Sequence, residues 1–461
     1  MNLRLPGWIT LIALGSLPKS ARAAEAPASP WRLGRAVDLP AWLAISGEHR
    51  IRYETLDGQF RAGQTGGDQA LALRTSVTVE LRTEPVQLVT EMLDARQYLS
   101  DAGSPLDTTM VNALEVLQAH VRWQAGDLIP GGTNTVRIGR ETLDLGNRRL
   151  VARNAFRNTI NSFTGADWLW EANGGGSVRA FWFLPVQRLP ADFDSLLDNE
   201  IVADTQGFGQ QFWGLYGSLP SLGPGIRAEV YWLQLHEDAD ADSRRRRLHT
   251  PGLRVFRNPK AAAVDFELEA AYQFGDLRAR AGLAEPILDQ QAHLLHAGVG
   301  YTFDAPWHPH LCIRYTEATG DNHPADGANE RFDTLFGARR WEFGPTGIYG
   351  VIARSNLRSP DWQISVRPKP NLELSFTHRF VWLESARDAW TAAGVRDASG
   401  NSGDYVGQQL ETRLRYDVLP GNVRLDTGFV YFANGDFAHH APNATRQGDT
   451  AYTYVELTLT F

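Results

Sequence analysis

Ala451-Tyr452-Thr453-Tyr454-Val455-Glu456-Leu457-Thr458-Leu459-Thr460-Phe461 alternates apolar and polar residues up to the last position of the chain. Val455, Leu457, Leu459 and Phe461 share one face, the two-residue period of a β-strand. A water-soluble domain has little reason to end an apolar strand on its final residue, because chain ends fray unless tied down. The stretch therefore reads as the closing strand of a sheet whose apolar face meets lipid.

The same period recurs upstream. Leu71, Leu73, Thr75, Val77, Val79 and Leu81 oppose Arg74, Ser76, Thr78, Glu80 and Arg82. Val264, Phe266, Leu268, Ala270 and Tyr272 oppose Asp265, Glu267, Glu269 and Gln273, and Leu372, Leu374, Phe376 and Phe380 oppose Glu373, Ser375, Thr377 and Arg379. Leu410, Thr412, Leu414 and Tyr416 oppose Glu411, Arg413, Arg415 and Asp417. Roughly eighteen such segments of about 9–11 residues are found, the length a tilted strand needs to cross a bilayer. Short turns are expected at 274–277 and 419–422. Long loops are expected near 97–113, 143–176, 186–209, 236–250, 319–346, 383–405 and 433–450. No internal repeat or linker divides the chain. The apolar faces end repeatedly in aromatics, including Trp123, Trp182, Trp232, Tyr301, Phe303 and Tyr431, as membrane-interface girdles require. The expectation is an all-β transmembrane antiparallel barrel of about 18 strands, with long loops on one side and short turns on the other.

The first residues carry Arg4, a mostly apolar run from Gly7 to Leu17 and Ala21-Arg22-Ala23. Residues 1–23 read as a secretion signal, 24–41 as an N-terminal periplasmic segment and 42–461 as the barrel. Lys+Arg is 45 against 53 Asp+Glu, a net charge of −8. The first 23 residues hold Arg4, Lys19 and Arg22 and no acid, so removing them leaves −11. This excludes a generally basic nucleic-acid binder but not a locally basic channel. Cys312 stands alone, which excludes a disulfide framework and a cysteine metal site. No run of 18 apolar residues follows the signal, so no helix is expected to span a membrane.

Lysine occurs only at 19, 260 and 369, which leaves 42 arginines. Arg74, Arg254, Arg367, Arg379, Arg413 and Arg415 fall on the polar faces of their strands. Guanidinium keeps its charge and grips a carboxylate with a planar fork, and rings of arginine make pores select anions. The plain alternative is that each arginine is paired by an acid on a neighbouring strand and stiffens the wall. Glu80, Glu267, Glu269, Glu373 and Glu411 are positioned for that. The densest cluster runs from Arg137 to Arg157. Arg140 is in phase with Val136 and Ile138, and a charge on the lipid face at mid-bilayer costs about 2–4 kcal/mol. A bulge or a strand end is therefore expected there. Residues 146–163 lack alternation and read as a loop folded into the lumen, with Arg148, Arg149, Arg153 and Arg157 making a basic constriction.

Arg137-x-Gly139-Arg140-Glu141 followed by Gly146-x-Arg148-Arg149-Leu150 resembles a segment of the alginate export family. His249-Thr250-Pro251-Gly252-Leu253-Arg254, Tyr272 to Asp276, Asp333-x-Leu335-Phe336, Gly403 to Glu411 and the closing Tyr454 to Phe461 resemble further blocks of that family in order. The resemblance spans the chain from about residue 45. It implies an eighteen-stranded outer-membrane barrel that exports an acidic uronic-acid polymer through an arginine-lined constriction. Arg140 and Arg153 are then the foremost substrate contacts, with Arg149 beside them and Arg74, Arg254, Arg367 and Arg379 in the wall. Glu141 departs from the family's glutamine and is expected to sit beside Arg140 and weaken its field. The chain end also resembles the signal read by barrel-assembly machinery.

Arg244-Arg245-Arg246-Arg247 follows Glu237, Asp238, Asp240 and Asp242 and reads as a solvated loop of mutually compensating charges. His439-His440 reads as a surface pair, since no further metal ligand follows at suitable spacing. No hydrolase or phosphate-binding motif occurs. The expected partners are an anionic polysaccharide or organic acid, outer-membrane lipid and lipopolysaccharide, the assembly machinery through Phe461, and periplasmic export proteins, with no nucleic acid and no cofactor. Two other classes compete. A membrane hydrolase or lyase would turn over lipid or uronate polymer, and an adhesin would lose cell binding on loop deletion while conductance persists.

Overall fold

Alternating faces close on themselves here. The computed structural model describes residues 29–461 apart from 102, 127 and 446, so the signal expected at 1–23 lies outside the described residues. The first staves are β1 (Leu43–Asp57), β2 (Asp68–Arg82), β3 (Val86–Tyr98), β4 (Asn112–Gln124), β5 (Gly132–Glu141) and β6 (Phe163–Ala172). They continue with β7 (Ser177–Pro185), β8 (Gln210–Ser218), β9 (Ile226–Glu237), β10 (Arg247–Arg257), β11 (Ala263–Arg278), β12 (Ile287–Thr302) and β13 (His310–Ala318). A two-residue strand, β14 (Ala328–Asn329), lies parallel to the start of β12. The wall resumes with β15 (Leu357–Lys369), β16 (Leu372–Trp382), β17 (Tyr405–Leu419), β18 (Val423–Asn434) and β19 (Thr450–Thr460). Every wall strand pairs antiparallel with its neighbours, β13 pairs directly with β15, and β19 pairs with β1 from Glu48–Thr460 to Asp57–Ala451. The result is a closed barrel of eighteen strands with no free edge.

The faces point as a membrane demands. Arg50, Arg52, Glu54, Arg74, Asp265, Glu269, Gln273, Asp361, Arg379 and Glu411 are buried inside, whereas Ile51, Tyr53, Val121, Ile138, Leu253, Leu268, Val299 and Ile313 are exposed outside. A water-soluble sandwich would show the reverse. Connections alternate in length. Residues 83–85, 173–176, 370–371 and 420–422 make tight turns at one end, and 99–111, 142–162, 186–209, 319–356 and 383–404 make long loops at the other. Outer-membrane barrels keep short turns on the periplasmic side and long loops outside. The start of β1 and the end of β19 lie at the short-turn end. Trp31 and Arg32 dock there through Trp31 N–H to Asn422 Oδ1 (2.8 Å) and Arg32 Nη1 to the Gly421 carbonyl (3.1 Å). Lys260, between β10 and β11, and Lys369, at the end of β15, are exposed at that same end.

Two expected boundaries are corrected. Residues 274–277 are not a turn but part of β11, paired with β10 and β12 on both sides. Gly275 signals a close approach there, since a Cβ would stand 1.9 Å from the Arg247 carbonyl oxygen. The region 143–176 is not one loop, because 163–172 form β6. That stave escapes a period-two reading because Trp168 and Trp170 on its outer face flank Asp167 and Leu169 on its inner one, while Phe163, Phe181, Phe183 and Phe212 of β6–β8 turn an apolar surface into the lumen.

The seam depends on one small residue. Gly47 N–H donates to the Phe461 carbonyl (3.1 Å) and accepts the Phe461 N–H on its own carbonyl (3.0 Å). A Cβ at 47 would stand 2.4 Å from the Phe461 ring and 2.7 Å from the Ser76 carbonyl oxygen. Gly47→Val is expected to cost about 1–3 kcal/mol by overpacking. It should lower the yield of folded, heat-modifiable barrel in liposomes. Unchanged yield would show that Phe461 can leave the seam at no cost.

Candidate functional site

Inside the barrel, two of the long loops leave the rim and meet in the lumen. Residues 142–162 and 319–356 exchange backbone hydrogen bonds: Phe336 N–H to Leu150 O (2.9 Å), Ala152 N–H to Phe336 O (3.1 Å) and Ala338 N–H to Arg148 O (2.9 Å). Wall residues hold the first loop by its backbone. Arg50 and Arg74 donate to the Ala155 carbonyl (2.9 and 2.6 Å) and Arg52 to that of Phe156 (2.6 Å). Asn158 Nδ2 reaches the carbonyls of Leu73, Arg96 and Met110. The second loop carries a short helix, α1 (Arg340–Phe343). Its Glu342 faces Arg149 of the first loop (2.5 Å) and Arg354, and Arg149 also meets Glu267 (2.7 Å) and Glu269 of β11. The inward loop at 146–163 is thus present, but its partner loop is a second half of the plug that periodicity did not reveal.

The arginines singled out in the sequence are scattered and mostly matched. Arg74 is buried against Glu48 (2.6 Å) and Arg153 grips Glu91 with both terminal nitrogens. Arg254 lies between Glu229 (2.7 Å) and Glu267 (2.6 Å), and Arg379 pairs with Asp361 (2.6 Å). Arg149 is fully buried among three glutamates, and Arg367 is exposed at the short-turn rim beside Glu373 (3.0 Å). Arg140 stands where the strand end is expected: β5 stops at Glu141, its pairing with β4 stops at Ala119–Arg140, and the guanidinium folds back onto Glu115 (2.7 Å), the Val116 carbonyl (2.8 Å) and Gln206 of the 186–209 loop (2.5 Å). Glu141 does not weaken Arg140. Adjacent strand residues face opposite sides, so it is buried inside near Arg137 (3.9 Å) and Arg179 (3.7 Å). Within the Arg244–Arg247 run, Arg246 is matched by Glu237 of the acidic run that precedes it, as expected, and by Asp333 of the second plug loop, and Arg245 by Asp276 of β11.

The plug leaves a chamber on each side. The short-turn chamber, about 690 Å³, has seven arginines and seven carboxylates on its wall. The loop-side chamber, about 490 Å³, has six arginines (61, 157, 244, 246, 331 and 339) and only two aspartates, Asp107 and Asp333. Arg246 is matched by Glu237 and Asp333, and Arg331 by Asp388. Among the described residues no carboxylate comes within 4 Å of Arg61, Arg157, Arg244 or Arg339. Burial, with Arg339 and Arg188 nearby, pulls Arg157 down to about 9. Burial and Arg354 pull Arg339 to about 10, and burial with Arg339 acting against Asp68 pulls Arg61 to about 10. All three keep their charge at neutral pH, so a set of arginines without ion-pair partners lines the loop side of the plug. These residues sit on irregular loops, where no period tells which way a side chain points.

A family model described as "Alginate export" matches residues 41–451. The chain belongs to the alginate export family. Solved structures share the fold of this alginate-export barrel. OccAB1 of Acinetobacter baumannii is 15% identical, with a TM-score of 0.56 over 91% of this chain and 96% of that one. OpdK of Pseudomonas aeruginosa, solved with vanillate, is 12% identical with a TM-score of 0.57 over 90% and 98%. The outer membrane protein OprD of Pseudomonas aeruginosa is 12% identical with a TM-score of 0.55 over 91% and 93%. No curated protein matches the sequence. Family and fold together make the alginate-export barrel an outer-membrane pore.

Proposed function

We propose that this pore passes anionic solutes, an acidic saccharide being the substrate class, and that it works passively, without cofactor or catalytic step. The observation that carries the reading is the loop-side chamber, where four arginines have no carboxylate partner among the described residues. A low-dielectric chamber with uncompensated guanidinium groups concentrates anions and repels cations. Arg61, Arg157, Arg244 and Arg339 are the selecting groups in this reading. The wall arginines 74, 149, 254 and 379 position the plug and stiffen the barrel. Residues 1–23 would direct secretion and 24–41 would lie on the periplasmic face, where Trp31 and Arg32 hold the 420–422 turn. Lipopolysaccharide, the assembly machinery at Phe461 and periplasmic polymer-handling proteins are the partners this reading requires.

Single-channel recording in a planar bilayer under a salt gradient tests it. The expected result is an anion-selective reversal potential and current block by oligouronate but not by a neutral oligosaccharide of equal length. Cation selectivity without block would sink the reading.

A further inference from the structure

The short-turn chamber is balanced in charge, yet its pairing leaves one arginine over. Arg74 faces Glu48, Arg340 faces Glu411, Arg424 faces Asp417, and Arg413 and Arg415 share Asp426. Arg50 reaches Glu456 at 3.6 Å. Arg148 alone of the seven has no carboxylate within 4 Å among the described residues, and its guanidinium makes no hydrogen bond to them. It is not loose. Its backbone is held in the left-handed region at φ 61, with its N–H on the Leu145 carbonyl (2.8 Å). Its guanidinium carbon sits 3.7 Å from the centre of the Trp341 ring, whose own N–H is fixed on the Asn147 carbonyl (3.3 Å). A non-glycine residue in that backbone region marks a position the surroundings impose. An aromatic shelf fixes a guanidinium plane without using its donors.

We propose that Arg148 on its Trp341 shelf is a docking point for a carboxylate carried on a hydroxyl-rich body, a uronate-bearing saccharide, entering from the short-turn side. This rests on the reading of the pore as anion-passing and adds a second site, on the other face of the plug. The free fork offers parallel N–H donors to one carboxylate. The wall of the same chamber supplies neutral hydroxyls. Ser365, Ser375, Thr458 and Thr460 line it and make no side-chain hydrogen bond to another described residue. A chamber with one open cation and several open hydroxyls matches one acid group among many hydroxyls better than it matches a dicarboxylate.

The test uses the full barrel in a planar bilayer, with trigalacturonate, maltotriose and glutarate each added from the short-turn side. Trigalacturonate should block the unaltered pore, and the other two should block weakly. Arg148→Gln should weaken the trigalacturonate block about tenfold or more, the value of a charged bidentate contact. Arg148→Lys, which keeps charge but not the fork, should fall between. Trp341→Leu should weaken it severalfold, and block from the loop side should not change. Heat-modifiable migration verifies that each barrel is folded, and the lysine variant carries the test if the glutamine variant is not. Equal trigalacturonate block in Arg148→Gln, or equal block by maltotriose, would overturn the docking point. An anion-selective pore indifferent to Arg148→Gln would do so while leaving the loop-side reading standing.

Discussion

Glu342→Gln is expected to loosen the plug and destabilise the barrel by about 3–5 kcal/mol, the cost of removing one partner from a buried ion pair. Glu342 is buried between Arg149 and Arg354, neither of which is exposed. Glutamine would leave Arg354 with neutral acceptors alone, the carbonyls of Arg149 and Ala338 and its own amide oxygen. The measurements are urea unfolding of the detergent-solubilised barrel and limited proteolysis of loops 142–162 and 319–356, with a larger or noisier conductance as the functional sign. An unchanged unfolding midpoint would show that the apolar contacts of Phe332 and Phe336 hold the plug alone. Burial pushes the Glu342 carboxyl up, but Arg149 and Arg354 outweigh burial and hold it well below the usual carboxylate range. A depressed carboxylate contributes its stability in full above its unfolded value of about 4.3 and loses it as pH falls toward the folded one. The unaltered plug should therefore stay docked from neutral pH through about pH 4 and release only in stronger acid. Glu342→Gln should flatten that acid limb.

Replacing Arg61, Arg157 and Arg339 together by glutamine is expected to abolish anion selectivity. At about 8 Å and an effective dielectric of about 40, each guanidinium contributes about 1 kcal/mol to a passing unit charge. Three of them amount to roughly a hundredfold enrichment of a monovalent anion and a matching depletion of a cation. The reversal potential under a salt gradient should move to zero or to the cation side, most visibly at low ionic strength, where screening is weak. A wall triple in which both members of each pair are made neutral, Arg74 with Glu48, Arg153 with Glu91 and Arg379 with Asp361, should leave selectivity near its starting value, since each double substitution removes no net charge. If the wall triple and the loop triple shift the potential equally, the distinction between matched and unmatched arginines fails.

The barrel was legible because lipid and lumen impose opposite demands on adjacent residues. Val264 to Ala270 and Leu372 to Thr377 display those demands without interruption, and both segments lie in staves. Legibility failed where the lumen is itself apolar. Phe163, Phe183 and Phe212 point inward to receive Phe336 of the plug, so β6 has little contrast between its faces and reads as loop. It fails differently at Arg140, whose phase is plain but whose partners, Glu115 on the neighbouring strand and Gln206 on the 186–209 loop, follow from register and loop packing rather than from period. Wall arginines such as Arg74 could be assigned to the lumen by phase alone, but their pairing with Glu48 depends on register between strands. The loop arginines that lie unpaired beside the outer chamber had no phase at all. What a strand pattern encodes is which side a residue faces. Whether a charge there is spent on a neighbour is decided by the contacts between strands and loops.

The scarcity of lysine has a use beyond composition. The only lysines of the described chain, Lys260 and Lys369, are both exposed at the short-turn end, and the long loops carry arginine in their place. An impermeant amine-reactive dye offered to sealed vesicles would mark the protein's lysines from one leaflet alone. The barrel thus carries its own compass, by which the orientation of a reconstituted population can be scored before any current is recorded.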